Sequence, residues 1–555
     1  MKKIIALILA LVMVAALAAC GSQPAAPAQE QKPAEAAPAA EPKTEEEQKA
    51  DAVAESSVLQ AGDAAYTPSD ETLYIANKAN PNGLFHLDVS AISANNAHMV
   101  AIYDCLVDYD YVTNTVSPAL AESWEQIDDT HVRFKIKEGV VSHAGDPFTA
   151  NDVLYTVTVG QEGGKLSNYY GMFNLAECKV EDDYTVVLAT NNPDPFFMYT
   201  LANTPLSMVC QASVENNGGF EGQILAPNAG TGPYKFVEWV ADDHIKLTRN
   251  ENYWGETPYF KDVEIRIITD ADARVMNLES GTVDIALDPA AGMIESLKSN
   301  PEVSVVNLPT SNITTIYLNT TKAPFDDINA RRAVALGLNY EANLALAVGG
   351  LGTLTDSYLP VNSTMYVSPE GSNIRYDLEA AKAALAASAY PDGFEFTLSF
   401  KEEPTNKKFA EMAQAQLAEL GIKVTVEPVA SADFDTRLCA GDFDAEISNA
   451  SNPDPAVQTK YFDGRNDFNY QRGGCYYQNS PSYDELIALI DEAKVTIDEA
   501  ARKEIYAKIQ TILADEVPGI PVYSPNKTCA TDADLLGMTL TEFCDVDWSK
   551  CYRAA

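Results

Sequence analysis

The stretch 394–429 constrains the fold most, because its hydrophobic periodicity changes twice. Residues 394–400 alternate apolar and polar as in a strand, and the apolar residues of 409–420 then recur at helical spacing. Gly421 is typical of a helix end, and alternation resumes in 422–426. Two strands joined by one helix are most simply parallel, with a right-handed crossover. The sequence therefore predicts an α/β layer here.

A second unit of the same kind lies upstream. Residues 263–268 read as a strand, a helix begins at Asp270 and stops at Gly281, and 283–287 read as a second strand. Two α/β lobes are therefore expected. Between residues 112 and 192 short alternating runs dominate, which predicts a smaller, strand-rich insertion.

Several helices carry start signals of their own. Asp377 precedes an apolar periodic run, and Thr496 stands three residues before a glutamate, as in a capping box. Asp327 opens a helix that carries Arg331 and Arg332 in its first turns, where we expect solvated ion pairs.

The first residues have the pattern of a secretory signal. Two lysines precede the apolar run 4–19, which is shorter than the ~20 residues of a membrane-spanning helix. The run ends in small residues before Cys20, which resembles the bacterial lipobox. We therefore expect 1–19 to be a lipoprotein signal peptide and Cys20 to be lipidated.

Residues 20–66 consist mainly of Ala, Pro, Glu, Gln and Lys and cannot bury enough apolar surface to fold, so we expect a tether. The whole chain has a net charge of −42, with 38 basic and 80 acidic side chains. Such a charge disfavours nucleic acid and anionic membranes as partners, so the lipid is the only expected membrane contact. The body of about 490 residues implies two or three lobes.

Eight cysteines remain in the body, an even number that permits up to four disulfides. No pair has the C-x-x-C spacing of a zinc or redox site, so we interpret them as structural thiols or bridges. They are Cys105, Cys178, Cys210, Cys439, Cys475, Cys529, Cys544 and Cys551.

Several motifs follow one another in chain order: 118–124 with 134–140 and 148–153, 230–234 with 249–254, 319–321 with 324–327, 376–377 with 380–382, 417–424, and 453–455. Together they resemble family 5 of the extracellular solute-binding proteins, which holds the dipeptide-, oligopeptide- and nickel-binding proteins of ABC importers. Trp124 and Trp254, within these motifs, are expected to be packing aromatics.

The resemblance implies an α/β fold like the periplasmic binding proteins of type II, cluster C: a two-lobe clamshell with an extra strand-rich inserted domain. Lobe I is expected to be built from three separate chain segments, 67–112, 230–312 and the C-terminal 522–555. The inserted domain II is expected at 113–229 and lobe III at 313–521.

The resemblance also implies hinges near 311–316 and 521–525, and we interpret Gly232 and Pro233 as a crossing between lobes. The ligand would lie between lobes I and III and drive their closure.

The implied function is capture of a di- or oligopeptide and its delivery to the permease and ATPase subunits of an ABC importer. The chain would be a monomer on the outer face of the cell membrane, facing a periplasmic space or a Gram-positive cell surface. It would not be an enzyme and would use no cofactor and no metal.

Expected ligand-binding residues follow from the same resemblance. Ser90 aligns with a hydroxyl that contacts ligand in dipeptide-binding relatives, and Ser451, Asn452 and Asp454 lie before and at the Asp-Pro step of the cleft strand. Peptide-binding members carry a tryptophan and an aspartate where this chain has Ser448 and Ser451. The carboxylate that pairs with a ligand ammonium is therefore missing.

Either another acid replaces that carboxylate or the ligand has no free amino terminus, since a buried ammonium without a partner is costly. The candidate acids are Asp433, Asp435, Asp444 and Asp454.

Other functions stay open on the sequence alone. His86 and His98 could serve a nickel or metallophore carrier, and an opine-like solute would call for cleft arginines. A peptide-sensing receptor would look the same in sequence. For an exported hydrolase, the H-E-x-x-H, G-x-S-x-G and S-x-x-K patterns are all missing from the sequence.

Overall fold

The structure is a computed structural model, and all residues that it describes belong to one compact unit, Lys49–Ala555. The predicted signal peptide, Cys20 and nearly all of the predicted tether lie outside the described residues. Within the described ranges, no helix is long and apolar enough to cross a membrane. The described residues are 66–89, 98–110, 115–163, 165, 167–430, 433–434, 436–437, 440–451, 455–459, 462–463, 465, 477, 480–540 and 546–554.

The strands of the described chain are spread over its whole length. They are β1 (Thr72–Asn77), β2 (Val107–Asp110), β3 (Thr115–Pro118), β4 (Ala121–Gln126), β5 (His131–Ile136), β6 (Lys179–Asp182), β7 (Thr185–Ala189), β8 (Tyr234–Val240), β9 (His244–Arg249), β10 (Asp262–Ile267), β11 (Ile285–Leu287), β12 (Val303–Leu308), β13 (Asn312–Leu318), β14 (Gly352–Thr353), β15 (Glu395–Lys401), β16 (Lys423–Val429), β17 (Ala445–Ser451), β18 (Gly519–Pro525), β19 (Lys527–Asp532), β20 (Leu535–Leu536), β21 (Thr539–Leu540), β22 (Val546–Asp547) and β23 (Tyr552–Arg553).

Most of the longer helices of the described residues lie in the second half of the chain. They are α1 (Met99–Ile102), α2 (Ala150–Glu162), α3 (Ser167–Tyr170), α4 (Phe197–Thr200), α5 (Gln211–Asn216), α6 (Phe220–Leu225), α7 (Ala271–Glu279), α8 (Ile294–Lys298), α9 (Ile328–Gly337), α10 (Tyr340–Val348), α11 (Leu378–Ala387), α12 (Pro404–Ala418), α13 (Pro455–Thr459), α14 (Tyr483–Val495) and α15 (Glu499–Glu516).

A seven-stranded sheet with the order β12-β19-β11-β1-β10-β9-β8 draws its strands from distant parts of the chain. The predicted strand, helix, strand unit is confirmed as β10, α7 and β11, with β1 inserted between its two strands and parallel to both. The Asp270 side chain caps α7 by accepting a hydrogen bond from the Ala273 amide at 2.7 Å. Leu73 and Ile75 of β1 are fully buried in the core of this sheet.

A six-stranded sheet has the order β14-β18-β13-β17-β15-β16. The parallel unit predicted within 394–429 is confirmed as β15, α12 and β16. Phe396, Leu398 and Phe400 project from one face of β15 into a core shared with buried residues of α12. Gly421 adopts the left-handed φ of 77° that its position after the helix requires.

The predicted strand-rich stretch is confirmed as an antiparallel sheet with the order β4-β5-β7-β6. Phe134 and Val186 face each other across β5 and β7 and are fully buried. A capping box starts α2. The Asp152 carboxylate accepts a hydrogen bond from the Thr149 amide at 2.7 Å, and the Thr149 side chain accepts one from the Asp152 amide. The limits 113–229 of an inserted domain remain a prediction.

The chain crosses twice between the seven-stranded and six-stranded sheets. One crossing is 309–311, from β12 to β13, and the other is Asn526, from β18 to β19. The Thr310 hydroxyl donates to the Pro525 carbonyl oxygen at 2.7 Å and so ties the crossings together. The predicted hinge segments 311–316 and 521–525 lie mostly within strands, so the crossings are displaced from them by a few residues.

The capping box predicted at Thr496 is wrong. Asp498 caps α15 instead, because its side chain accepts from the Ala501 amide at 2.8 Å. The Thr496 hydroxyl donates back to the Glu492 carbonyl oxygen at 2.7 Å, at the end of the preceding helix. The Asp377 prediction is confirmed by its bond from the Ala380 amide at 2.9 Å.

The solvated ion pair expected of Arg331 is also wrong. Arg331 is only 3% exposed and donates to the carbonyl oxygens of Glu516 and Phe325, both at 2.8 Å. Its neighbour Arg332 does pair with the Asp515 carboxylate near the surface, at 2.6 Å. Arg331 thus satisfies two backbone acceptors, one at the end of α15 and one in the loop before α9.

The described cysteines are thiols, so the permitted maximum of four disulfides is not reached. Three of the eight body cysteines, Cys439, Cys475 and Cys544, lie outside the described residues. The thiols are Cys105, Cys178, Cys210, Cys529 and Cys551.

Candidate functional site

The carboxyl ends of β1, β11 and β12 lie along one edge of the seven-stranded sheet. β1 runs parallel to β11, and β12 has the direction of β11 because both are antiparallel to β19. The chain leaves this edge after Leu308 and reaches the six-stranded sheet at Asn312, after three intervening residues. We call it the crossing edge of the seven-stranded sheet.

The six-stranded sheet has a matching crossing edge. Asn312, the first residue of β13, is opposite Ser451, the last residue of β17. β15 and β16 are parallel to β17 and end at the same edge. Ligands of α/β sheets bind outside the carboxyl ends of the strands, so the space between the two crossing edges is the candidate ligand-binding cleft.

The predicted ligand-binding residues fall at this cleft only in part. Ser451 ends β17 at the crossing edge, opposite Asn312. Ser90, Asn452 and Asp454 lie outside the described residues, so contacts among the four remain a prediction. Ser448, which stands at the position of the family's tryptophan, is buried and opposite Thr315.

Asp444 does not replace the missing carboxylate. It precedes β17 and therefore lies at the edge opposite the crossing edge. Its carboxylate accepts from the Thr397 amide at 3.0 Å and pairs with the Lys322 ammonium at 3.2 Å. Asp435 lies outside the described residues.

A polar row that the sequence analysis missed crosses the six-stranded sheet. Glu427, Ser399 and Glu446 are in register on β16, β15 and β17 and share one face. The Ser399 hydroxyl and the Arg437 guanidinium both donate to the Glu427 carboxylate, at 2.8 and 3.1 Å. Arg437, with the help of Ser399, lowers the pKa of Glu427. Alternation in the strands could have revealed this face, because its residues are polar where the other face is apolar.

The crossing edge of the seven-stranded sheet carries a second missed cluster. Asp288 directly follows β11 and contacts the Lys527 ammonium at 2.8 Å and the Lys78 ammonium at 3.0 Å. Burial alone would raise the pKa of Asp288, but the two ammonium groups outweigh it and hold the pKa at about 2. The carboxylate is therefore ionised at any physiological pH.

Asp104 joins two of the sequence motifs. Its carboxylate accepts from the Thr231 hydroxyl at 2.8 Å, the Trp254 indole N–H at 2.7 Å and the Tyr253 hydroxyl at 3.2 Å. Burial raises its pKa, against the effect of these three donors. Trp254 is partly buried against the core, as expected of a packing aromatic, and so is Trp124.

Gly232 packs closely against another part of the backbone, and its expected place at a crossing between lobes remains a prediction. An added Cβ would lie 2.6 Å from the Ala101 carbonyl oxygen, so glycine is needed for close backbone packing. With Pro233 it leads into β8 of the seven-stranded sheet, and the crossings to the six-stranded sheet lie elsewhere.

The histidines considered for a metal do not form a described metal site. The His98 ring bonds to the Gly83 carbonyl oxygen at 3.1 Å, whereas His86 is fully buried between aromatic rings. Burial lowers the pKa of His86 to about 3 and that of His98 to about 4, so both rings are neutral. Among the residues that the structure covers, no group of three or more His, Cys, Asp or Glu is placed to hold a metal ion.

Residues 115–470 match the sequence model of "Bacterial extracellular solute-binding proteins, family 5 Middle". The chain belongs to this family. Its members are extracytoplasmic solute-binding components of ABC importers and are not a family of enzymes.

The relatives bind different ligands. The chain is 28% identical over 487 residues to "Heme-binding protein A" of Haemophilus influenzae, covering 82% of this chain and 88% of the relative. It is 27% identical over 493 residues to the "Probable D,D-dipeptide-binding periplasmic protein DdpA" of Escherichia coli, covering 85% and 92%.

A solved structure has the same fold. The periplasmic binding protein DppA of Helicobacter pylori, in complex with the peptide STSA, superposes with a TM-score of 0.69 at 24% identity. The match covers 87% of this chain and 98% of that protein. The expected fold class, a type II periplasmic binding protein of mixed α/β construction, is confirmed.

Proposed function

We propose that this chain captures di- or oligopeptides in the candidate cleft and delivers them to the membrane permease of an ABC importer. The observation that carries the proposal is the pair of crossing edges, which two short crossings join. Two sheets joined in this way can close on a ligand with little change inside either sheet.

Peptides suit the cleft because strand ends offer unpaired backbone groups to an extended chain. The crossing edges present the ends of β1, β11, β15, β16 and β17. Ser90, Ser451, Asn452 and Asp454 are the residues we propose to contact the ligand. A relative named for D,D-dipeptides and a structural neighbour in complex with a peptide support this class of ligand.

The chain would work at the outer face of the cell membrane as a monomer. The small residues before Cys20 support lipidation of its thiol, and the tether up to residue 66 would hold the folded body away from the bilayer. A folded body on such a tether would be free to move to the permease when it has bound its ligand.

The relative named for heme supports a second candidate, a cofactor-like or metal-chelating ligand. A sensing receptor would bind the same peptides but would need no permease.

Thermal shifts of the full chain in mild detergent test the proposal. The probes are alanine peptides of two to six residues, their N-acetylated forms, hemin and nickel with histidine. A ligand at about 100 times its dissociation constant should stabilise the fold by about 2.7 kcal/mol. We expect peptides to raise the melting temperature. A shift by hemin or nickel–histidine, with none by peptides, would overturn the peptide proposal.

A further inference from the structure

Two hydrophobic cores divide the described residues into two bodies. One core combines residues of the seven-stranded sheet, such as Ile75, with residues of the antiparallel four-stranded sheet, such as Phe134. The other core belongs to the six-stranded sheet and includes Leu398 of β15 and Leu513 of α15. Because a close-packed core resists deformation, the elements around each core move together. We call the first part body A and the second part body B.

Two neighbouring phenylalanines after β7 belong to different bodies. Phe197 is buried in the core of body A, together with Leu201 of the same segment. The side chain of Phe196 packs against the core of body B instead. The backbone of this segment is therefore anchored in body A, and one of its rings lies on body B.

The ring of Phe196 meets body B at the start of α15. The Arg502 guanidinium lies 4.9 Å from the centre of the Phe196 ring. Arg502 is buried and donates to the carbonyl oxygens of Thr496 and Ile497 at 2.9 and 3.1 Å. These bonds hold the guanidinium in place, so it presents a fixed cationic face to the ring.

Asp194 supports the contact from the side of body A. Its carboxylate accepts a hydrogen bond from the Phe196 amide at 2.9 Å and so fixes the backbone that carries the ring. Burial raises the pKa of Asp194, against the effects of the Phe196 amide and of the Arg502 charge. Asp194 therefore interacts with Arg502 across the same boundary.

The boundary beside this contact is not a continuous core. An open cavity of about 450 Å³ lies there, lined by Val132 and Met198 of body A and by Ile497 of body B, among others. The two bodies meet at this place through a few side chains. A rotation of one body against the other can separate them without unfolding either core.

The contact adds a third link between the bodies. The two crossings are covalent links, and the bond between Thr310 and Pro525 ties them together. Two links that lie side by side leave the bodies free to rotate about them. The contact between Phe196 and Arg502 involves no residue of either crossing, so it restricts that rotation.

We propose that Phe196 and Arg502 form a latch that holds bodies A and B at one angle. This inference goes beyond the proposed peptide binding, because it applies to any ligand of the cleft. Loss of the latch should leave both bodies folded and populate other angles between them.

Pulsed electron–electron double resonance tests the latch on the full chain in mild detergent, without added ligand. Spin labels are attached to unnatural amino acids at Met276 and Glu379, which are exposed. Met276 lies on α7, which packs on the seven-stranded sheet of body A, and Glu379 lies on α11 of body B. The distance between the labels reports the angle between the bodies.

We expect a narrow distance distribution in the otherwise unchanged protein. Phe196→Ala should broaden it, because loss of a cation–π contact raises the population of other angles by about two- to fivefold. Phe196→Leu, which keeps apolar packing without a ring face, should broaden it less. Phe196→Tyr keeps a ring over the guanidinium and should retain the narrow distribution.

Phe220→Ala is the matched control. Phe220 is also a partly buried phenylalanine, but its ring packs within body A, 5.1 Å from the ring of Phe85. Its distance distribution should equal that of the unchanged protein. Circular dichroism and melting curves establish that each variant is folded.

The outcomes separate the latch from the peptide function. An unchanged distribution in Phe196→Ala and Phe196→Leu would overturn the latch, and so would equal broadening in Phe220→Ala. Because the distances are measured without ligand, failure of peptides to bind would overturn the proposed peptide function and leave the latch standing.

Discussion

The indole N–H of Trp254 donates a hydrogen bond to the carboxylate of Asp104 at 2.7 Å, across 150 residues of chain. Thr231 binds the same Asp104 oxygen at 2.8 Å. Two motifs that stand apart in the sequence are therefore joined by one carboxylate that belongs to neither. Asp104 precedes the antiparallel sheet β4-β5-β7-β6 in the chain, whereas Thr231 and Trp254 follow it, so the contact joins the chain segments on either side of that sheet.

Replacement of Asp104 by alanine should destabilise the protein by about 2–4 kcal/mol, because buried donors lose their acceptor. Urea unfolding of the full chain, followed by tryptophan fluorescence, measures the change. Glu295→Ala is the control, since Glu295 forms a solvated pair with Lys298 and its side chain is 89% exposed. Equal midpoints for Asp104→Ala and the control would show that the junction contributes nothing.

His86 should make the protein sensitive to mild acid. Its pKa in the folded state is about 3, below the ordinary value of 6.5, so the unfolded chain binds a proton that the folded chain refuses. The contribution of His86 to the free energy of unfolding is complete above pH 6.5, and it falls by about 1.4 kcal/mol per pH unit below that value. His86→Leu should reduce the loss between pH 7 and 5.

Chemical denaturation at each pH tests this prediction for His86. Phe85→Leu removes a neighbouring ring without removing a titrating group, so it should keep the wild-type slope. The prediction is wrong if His86→Leu loses stability with falling pH as steeply as the wild type does.

Asp288 should contribute stability that is lost only in stronger acid. Its folded-state pKa of about 2 lies below its ordinary value of 3.8, so the contribution is present above pH 4 and is lost as the pH falls toward 2. Asp288→Asn should lower stability by about 2 kcal/mol at neutral pH, and the difference from wild type should shrink toward pH 2. Asparagine is the suitable replacement because Asp288 has a φ of 48°, which asparagine tolerates. A difference that stays constant with pH would contradict the ion-pair assignment.

The segment that follows the strand-rich stretch also contacts the helical part of the chain. The Arg502 guanidinium of α15 lies 4.9 Å from the Phe196 ring, and Phe196 packs against the core of the six-stranded sheet. Phe196→Ala should increase hydrogen exchange of amides in 497–502, because the contact contributes about 0.5–1 kcal/mol. Phe196→Leu keeps apolar packing without a ring face and should give a smaller increase. Unchanged exchange in both variants would contradict the coupling.

Periodicity made part of the fold predictable. β15, α12 and β16 each express their apolar pattern within a few residues, so local sequence contains the information. The predicted helix cap at Thr496 was wrong for a local reason, because Asp498, only two residues later, caps the helix instead. The prediction for Arg331 was wrong for another reason, because one of its acceptors, the carbonyl oxygen of Glu516, lies 185 residues away in the sequence.

The candidate site was less predictable than the fold. Counting back from the Asp-Pro motif at 454–455 led to Ser451, because the motif and the end of strand β17 are only a few residues apart in the sequence. The contacts of Asp288 could not be found in that way, since Lys78 and Lys527 meet at Asp288 only through the sheet order β19-β11-β1. Sequence indicates which residues end strands, but strand order decides which of those ends become neighbours.

The strand β19 also determines when the protein can finish folding. It lies between β11 and β12, with Cys529 opposite Leu287, so the seven-stranded sheet stays divided until residues 527–532 have been synthesised. β18 likewise adds to one side of the six-stranded sheet, between β14 and β13, only with residues 519–525. Nascent chains therefore carry two unfinished sheets until residues 519–532 have been synthesised, and a truncation that removes β18 and β19 would leave the seven-stranded sheet divided between β11 and β12.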